Sequence, residues 1–493
     1  MEPSYFVQAR RAGRVVVEEP PKFDLDDYIS KYKGRTRFDR LSLIGTSSSY
    51  LCLEALKAAI AEAKQGSDVG RYESAVSSLR EISPTDPDAI LDAAWVGTTK
   101  AQVKRNTDTL ELELKTYKNN LIKESIRMGY DDLGNHYHRI GDLSKANKAY
   151  SQMREFCTTN SHIVIMNMHL INVCIDQRSW FAAQNHIQRI RGATGGQKFP
   201  EAEKNSAKLA AAHGLASLAS GNYRDAAIDF IGTDPRMSQA KLDDPTDEEA
   251  YNEVLTPSDI AIYGGLCALA TMERGELQER VLNNTDFRNY LELEPHIRRA
   301  ITYFVSSKYS PCLQILDSYK ADYLLDIYLQ PHFQNLYHDI RCKAIRDCLA
   351  PFSCITMSAL AKIFNSDEEA IMLEIQQMIK REQINARINS VDRVLYTKQK
   401  NGRVNVFDTA LAAAKEYERT SHLRIMRMQV INAGLEVKGD SGRGQRGGGN
   451  INQEWAPPPS SSYESRGTTG SGPQHGGYNG AGDLMDGKSG TRG

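Results

Sequence analysis

The chain has 493 residues, 40% of them hydrophobic and 25% charged, which at about 150 residues per domain allows roughly three domains or one elongated array. Its 61 Lys and Arg residues balance 62 Asp and Glu residues, so the formal charge of −1 creates no overall field that would attract nucleic acid or anionic lipid. The sequence has neither a signal-peptide pattern nor an apolar run of about 18 residues, which argues against secretion and membrane insertion.

The cysteines predict a reducing compartment. They occur singly in apolar segments, without a CxxC pair, which is typical of reduced and buried thiols in a nuclear or cytosolic protein. We therefore expect the protein in the nucleus and the cytoplasm. The eight cysteines are Cys52, Cys157, Cys174, Cys267, Cys312, Cys342, Cys348 and Cys354.

The two ends of the chain differ from its body. Residues 439–493 contain 16 of the 36 glycines, together with short Pro and Ser runs. Such a segment cannot bury enough apolar surface to offset the entropy lost on ordering. We predict a disordered Gly-rich tail over 439–493 and a mobile N-terminal arm over 1–40.

The body is mostly α-helical and contains a repeat. One copy has large residues, small residues and a turn glycine in the order of a tetratricopeptide-type helical hairpin, in which small residues let two helices approach and large ones fill the gap. Its members are Tyr130, Leu133, Gly134, Tyr137, Gly141, Ala146 and Tyr150. A second copy consists of Gly214, Gly221, Ala226 and Phe230. With more degenerate copies around them, they predict a right-handed TPR-like solenoid over 41–340.

After the solenoid, the pattern changes to that of a winged helix over 341–400. The sequence predicts a helix from Ile355 to Asn365, a second helix after Ser366, and a short hairpin around the turn 390–393. In a DNA-binding winged helix the second helix reads bases. Here it carries Glu368, Glu369 and Glu374 and no cation up to residue 379, so it would repel a polyanion, and we favour protein docking over nucleic-acid binding.

The last predicted helix, over 405–438, is apolar on most of its circumference between 423 and 437. Such a helix must be buried on several sides. A bundle with helices of other chains would bury it, and the alternative is that it folds back along its own solenoid. The residues that we predict in this interface are Leu411, Leu423, Ile425, Met426, Met428, Val430 and Leu435.

No catalytic, metal or cofactor site is predicted. His136 and His138 form an HxH pair, as in some zinc isopeptidases, but they lie about 200° apart on a helix. Ala149 also stands where such a centre needs a downstream Asp. The Gly-rich segment 192–198 lacks the spacing of a phosphate-binding loop, and no nucleophile has a base beside it.

The order of helical repeats, winged helix and terminal helix resembles that of PCI-domain proteins, the scaffold subunits of the proteasome lid, the COP-nine signalosome and a translation-initiation factor. The similarity covers residues 120–437 and is strongest to the signalosome members. The paralogous proteasome-lid subunits are the alternative. The stretches that carry the similarity to the signalosome members are Tyr130-DDLGNHY, Leu255-TPSDIAIYGGLCALAT, Leu291-ELEP and Leu324-LDIYLQPH.

The resemblance implies a non-catalytic scaffold in a complex that removes a ubiquitin-like modifier from cullin-RING ligases. The partners would be other PCI subunits and a JAMM-type metalloprotease subunit, which holds the isopeptidase activity. Winged helices of the family join edge to edge through their sheets, and their terminal helices form one bundle. Carried onto this sequence, the edge residues are Ile384, Ile388, Val394 and Tyr396.

Overall fold

The computed structural model describes residues 4–193, 205–239, 251–397 and 402–435. The chain divides into two units, residues 1–400 and 401–493. Within the described ranges, no helix combines the length and the apolar character needed to cross a bilayer. The predicted tail over 439–493 lies outside the described residues.

The first unit begins with helices that pack into its main core. They are α1 (Ser4–Arg11), α2 (Leu25–Ser30), α3 (Gly34–Ser47), α4 (Cys52–Gln65) and α5 (Val69–Ile82). The prediction of a mobile arm over 1–40 is therefore wrong for its described part. Phe6, Leu25 and Ile29 are buried, and Val17 forms a backbone bridge with Ser48. This segment also contacts residues far along the chain, since Lys22 donates its N–H to Oδ1 of Asp322 at 2.8 Å, and local periodicity does not show such contacts.

The next helices form antiparallel hairpins. They are α6 (Ala93–Asn120), α7 (Lys123–Ile140), α8 (Leu143–Met153), α9 (Asn160–Asp176), α10 (Trp180–Ala193), α11 (Ser206–Ala219) and α12 (Tyr223–Ile231). The predicted repeat is confirmed at its small positions: a Cβ on Gly134 would lie 2.5 Å from the Tyr150 ring, and one on Gly214 would lie 3.0 Å from Phe230. Gly141 and Gly221 end helices at φ +96° and +81°, a conformation that favours glycine.

The second half of the solenoid leads into a long helix that crosses the predicted domain boundary. Its helices are α13 (Pro257–Thr271), α14 (Arg274–Glu276), α15 (Thr285–Leu293), α16 (Pro295–Val305), α17 (Tyr309–Ser318), α18 (Lys320–Leu324) and α19 (Phe333–Leu349). A π-helical segment spans Leu277–Leu282, and 3₁₀ segments span Pro87–Ala89, Arg154–Phe156 and Pro235–Gln239. The predicted boundary between 340 and 341 falls inside α19, because this helix packs on α13 of the solenoid.

Lys343 ties α19 to the solenoid. Its ammonium group donates to the main-chain oxygens of Leu269, at 2.7 Å, and of Met272, and both acceptors belong to the C-terminal end of α13. These bonds satisfy carbonyl groups that a helix end leaves without an intrahelical partner. Lys343 is buried, and burial lowers the pKa of its ammonium to about 8.

The winged helix consists of β1 (Cys354–Thr356), α20 (Met357–Phe364), α21 (Glu368–Lys380), β2 (Ala386–Asn389) and β3 (Val394–Thr397). The hairpin around 390–393 is confirmed, since β2 and β3 pair in antiparallel register with Asn389 opposite Val394. The prediction of a helix starting at Ile355 is wrong. Residues 354–356 form a third strand, and the strand order is β1-β3-β2.

The apolar core of the first unit has two parts. The larger includes residues of the N-terminal helices, the second half of the solenoid and the winged helix. The smaller lies between α6, α7, α8 and α9, around Tyr130, Leu133 and Tyr150. The second unit contributes one described helix, α22 (Gly402–Asn432). It starts three residues before the predicted segment 405–438 and ends before Gly434, which has φ +65°.

Candidate interaction surfaces

Strands β1 and β2 are the outer strands of the winged-helix sheet, and hydrogen bonds of the central strand show which main-chain groups of β2 point outward. Thr397 donates its N–H to the Ser353 oxygen, and Met357 donates to the Arg393 oxygen, both at 2.9 Å. Because main-chain groups alternate in direction along an antiparallel strand, Val394 and Tyr396 must direct theirs toward β2. On β2, Ala386 and Ile388 then direct their N–H and C=O groups away from the sheet.

The structure corrects the predicted edge in three of its four residues. Val394 and Tyr396 lie on β3, which is the central strand and is paired on both sides. Ile384 precedes β2 and lies outside the strands. Ile388 is on an outer strand, and among the described residues no strand pairs with its outward main-chain groups. Strand β1 was not predicted from the sequence, and without this strand β3 looks like an edge.

The side chains of α21 form ion pairs with α19 and with the turn that precedes β3. A Glu374 carboxylate oxygen lies 2.9 Å from Nε of Arg341, and one of Glu368 lies 3.3 Å from Nη1 of Arg393. Arg393, a cation of the predicted wing, is therefore paired with the acidic helix. The pairing places a carboxylate beside the cation of the wing.

The terminal helix α22 exposes large apolar side chains. Ile425 is 54% exposed and Met428 is 70% exposed. Leu423, Met426 and Val430 are also exposed, as is Leu411 nearer the start of the helix. Leu435 is exposed too, but it lies beyond the helix end at Asn432. Except for Ser421, which is half-buried, every side chain described in this helix is exposed.

A buried polar cluster joins the N-terminal helices to the second half of the solenoid. It consists of Arg40, Asp259, Asp326, Tyr32 and Tyr263. The guanidinium of Arg40, fully buried, donates to Oδ2 of Asp259 at 3.0 Å and to Oδ2 of Asp326 at 2.5 Å. Tyr32 donates to Asp259 at 2.8 Å, and Tyr263 donates to Asp326 at 2.7 Å. Each carboxylate therefore has a charged and a phenolic donor.

The pKa values of the two carboxylates in the polar cluster are shifted in opposite directions. Burial raises the pKa of Asp259, and the nearby Arg40 offsets this effect only in part. Burial also acts to raise the pKa of Asp326, but Arg40, Tyr263 and the N–H of Leu329 outweigh it, so the pKa of Asp326 is lowered. The role of Arg40 was not predicted, because the residue lies in the segment predicted as a mobile arm. A signal was present, since Arg40 stands between Phe38 and Leu41 in an apolar helix face.

The HxH pair is part of the helix packing. His136 Nε2 lies 2.9 Å from the Thr107 hydroxyl, and His138 Nε2 lies 2.6 Å from a carboxylate oxygen of Asp176. In the part of the chain that the structure covers, no group of three or more His, Cys, Asp or Glu side chains is arranged to hold a metal ion.

The cysteines are mostly buried, as predicted, and all eight are free thiols. Burial raises the pKa of Cys174 to about 11, which keeps it protonated at neutral pH. Cys354 is an exception because it lies exposed on β1, and Cys157 and Cys342 are half-buried.

Comparison with known sequences identifies two families along the chain. The family described as "26S proteasome subunit RPN7" matches residues 92–280, and the PCI domain matches residues 316–399. The second match contains the winged helix together with α18 and α19 of the solenoid end.

Individual relatives narrow this assignment. The chain is 50% identical to COP9 signalosome complex subunit 1 of Emericella nidulans over 443 residues, which cover 88% of this chain and 86% of the relative. It is 34% identical to the Arabidopsis thaliana protein of the same name, over 85% of this chain and 92% of the relative. Identity to the 26S proteasome non-ATPase regulatory subunit 6 of rice is 21%, over 63% of this chain and 76% of the relative. The chain therefore belongs to the COP9 signalosome complex subunit 1 family of PCI-domain proteins.

Proposed function

We propose that this chain is a non-catalytic scaffold subunit, needed to assemble the complex that deneddylates cullin-RING ubiquitin ligases. Its partners are the other PCI subunits and a JAMM-type metalloprotease subunit, which supplies the isopeptidase activity. A cullin-RING ligase is the substrate of the whole complex, which acts in the nucleus and the cytoplasm. A PCI subunit of the proteasome lid is the second candidate, and the identities of 50% and 21% favour the first.

The observation that carries the proposal is the exposed apolar surface of α22. A helix with Leu423, Ile425 and Met428 exposed on different sides has a strong tendency to associate, because each large apolar side chain removed from water contributes about 1.5–3 kcal/mol. A bundle surrounds a helix on all sides, whereas a flat surface covers one side only. We therefore assign α22 to a bundle of helices from several subunits.

The outer edge of β2 supports a second contact. The outward main-chain groups of Ala386 and Ile388 can pair with a strand of a neighbouring winged helix. Ile388 is half-buried and packs against the core, so the strand is held in place by its own domain. In this arrangement the outer edge of β2 determines which subunit lies beside the winged helix, and α22 holds the assembly together.

The double variant Ile425→Asp/Met428→Asp tests the scaffold proposal. It places two charges in the bundle, so the chain should no longer co-purify with the other subunits. Its far-ultraviolet circular dichroism should stay unchanged. Ala413→Asp, on the same helix but before the apolar stretch that begins at Leu423, serves as the control and should assemble normally. A double variant that is retained in the complex would refute the bundle assignment.

A further inference from the structure

The turn between α6 and α7 exposes two large apolar side chains. Leu121 ends α6 with φ +55° and is 81% exposed, and Ile122, the N-cap residue of α7, is 55% exposed. Leu121 is the one large apolar residue with positive φ among the residues that the structure describes. An L-residue with a bulky side chain adopts this conformation only against a steric penalty.

Two other turns of the same solenoid show what the local backbone favours. After α7 the chain has Gly141 at φ +96° and then Asp142, whose carboxylate accepts the N–H of Lys145 at 3.1 Å. After α11 it has Gly221 and then Asn222. At the corresponding positions after α6, the chain has Leu121 and Ile122, and Ile122 offers no side-chain acceptor.

The next residue also departs from local preference. Lys123 is the first residue of α7, and a cation at this end opposes the helix dipole. Glu124 in the same helical turn offsets this effect, so Leu121 and Ile122 are the two residues that oppose the folding of the turn. Departures of this kind are expected at functional positions, because the rest of the fold has to compensate for them.

The surroundings of the turn are basic. Residues 112–128 contain four cations (Lys115, Lys118, Lys123 and Arg127) against two acids, Glu113 and Glu124, which gives this stretch a net charge of +2. All three lysines are exposed, and Leu112 and Met128 add exposed apolar surface on the two helices. An apolar tip with a basic rim matches a partner surface that has an apolar pocket rimmed by carboxylates.

We propose that the α6–α7 tip, defined as Leu121, Ile122, Lys118 and Lys123, docks on another subunit of the same complex through an acidic-rimmed apolar pocket. This inference rests on the proposed function. A permanent subunit fits better than a transient partner, because obligate interfaces are the more apolar class.

Zero-length carbodiimide cross-linking of the reconstituted complex tests the docking. The reagent joins an amine to a carboxylate only when the two groups are in contact. We expect Lys118 or Lys123 to be joined to an Asp or Glu of another subunit, as identified by mass spectrometry. Cross-links only to proteins outside the complex, or no cross-link in an intact complex, would overturn the proposal.

The variant Leu121→Gly/Ile122→Asp copies the Gly141–Asp142 turn and keeps both lysines. Its melting temperature should equal or exceed that of the unaltered chain, and its cross-link yield should fall at least fivefold. Ile90→Asp, at another exposed apolar position, is the matched control and should leave the yield unchanged. An unchanged yield in the tip variant would contradict the docking.

A second variant does not depend on the turn conformation. Lys118→Glu/Lys123→Glu should lower the affinity of the chain for the partner subunit at least tenfold at low salt, and by less at high salt, because screening weakens the repulsion. An affinity that does not change would contradict the proposal. Failure of the unaltered chain to enter the complex is a different result, which would refute the proposed function and not the tip alone.

Discussion

Arg40 and Asp326 are 286 residues apart in the chain, yet Nη1 of Arg40 lies 2.5 Å from Oδ2 of Asp326. The same guanidinium binds Asp259, so one buried cation joins α3 to two segments of the second half of the solenoid. A neighbouring contact also joins the N-terminal helices to a distant segment, since Lys33 donates its N–H to the main-chain oxygen of Asn252 at 3.1 Å. The N-terminal helices therefore stabilise the solenoid from within its core.

Replacing Arg40 with Met should lower the free energy of unfolding by about 3–5 kcal/mol, because two buried carboxylates lose their shared cation. Urea unfolding at pH 7 measures this change. Arg288→Ala removes an exposed i,i+4 pair with Glu292 and should cost no more than about 0.5 kcal/mol. Equal effects of the two substitutions would show that the polar cluster does not hold the fold together.

Glycine at position 134 should be required for the α7–α8 hairpin. In Gly134→Ala the new methyl group would lie 2.5 Å from the buried Tyr150 ring, so we expect a loss of about 1–3 kcal/mol. Gly97→Ala is the matched control in α6, where a Cβ meets no atom within 4 Å, and it should stabilise the chain by about 0.5–1 kcal/mol. Thermal unfolding distinguishes the two, and a stable Gly134→Ala variant would contradict the packing.

Lys343 should make stability depend on pH above neutrality. Burial lowers the pKa of its ammonium to about 8, below the ordinary value of 10.5. Between these two pH values the unfolded chain therefore binds more protons than the folded chain. Stability should therefore rise as the pH increases from about 8 toward 10.5, by at most about 1.4 kcal/mol per pH unit from this group.

The contribution of Lys343 is isolated by comparison with Lys343→Met, measured by urea unfolding between pH 7.5 and 9.5. The difference in unfolding free energy between the two proteins should shift in favour of the unaltered chain as the pH rises. A difference that stays constant across this window would show that the ammonium of Lys343 keeps an ordinary pKa.

Proline substitutions at two neighbouring positions of β2 should have different effects on the hairpin and on assembly. Ile388 directs its N–H outward, so Ile388→Pro should keep the hairpin and weaken pairing with a neighbouring subunit. Arg387 directs its N–H toward β3, so Arg387→Pro should disrupt the hairpin itself. Hydrogen exchange of β3 in the isolated chain, together with co-purification of partners, separates the two effects. Protection of β3 that is lost equally in both variants would contradict the assigned strand direction.

The sequence predicted features that depend on local spacing. The repeat around Gly134, Gly141 and Tyr150 was correct because small, turn and large residues report helix contacts within one hairpin. The β2–β3 hairpin was correct for the same reason, since alternation and a turn lie within a dozen residues. The acidic character of α21 could also be read directly from its residues.

Features that depend on distant contacts could not be predicted in this way. Strand β1 has three residues, too few for a period of two to be visible, and it is defined by pairing with β3 about 40 residues later. The burial of Arg40 depends on Asp259 and Asp326, which no local pattern connects to it. The proposed bundle around α22 depends on other chains, so its residues stay a prediction.

Affinity purification of the tagged chain from its own cells, in moderate salt, tests the central claim most directly. The purified material is analysed by mass spectrometry and assayed for cullin deneddylation. The scaffold proposal predicts several other PCI subunits, a JAMM-type metalloprotease and deneddylation activity, all lost with Ile425→Asp/Met428→Asp. Recovery of the chain alone, or with subunits of the proteasome lid, would contradict it.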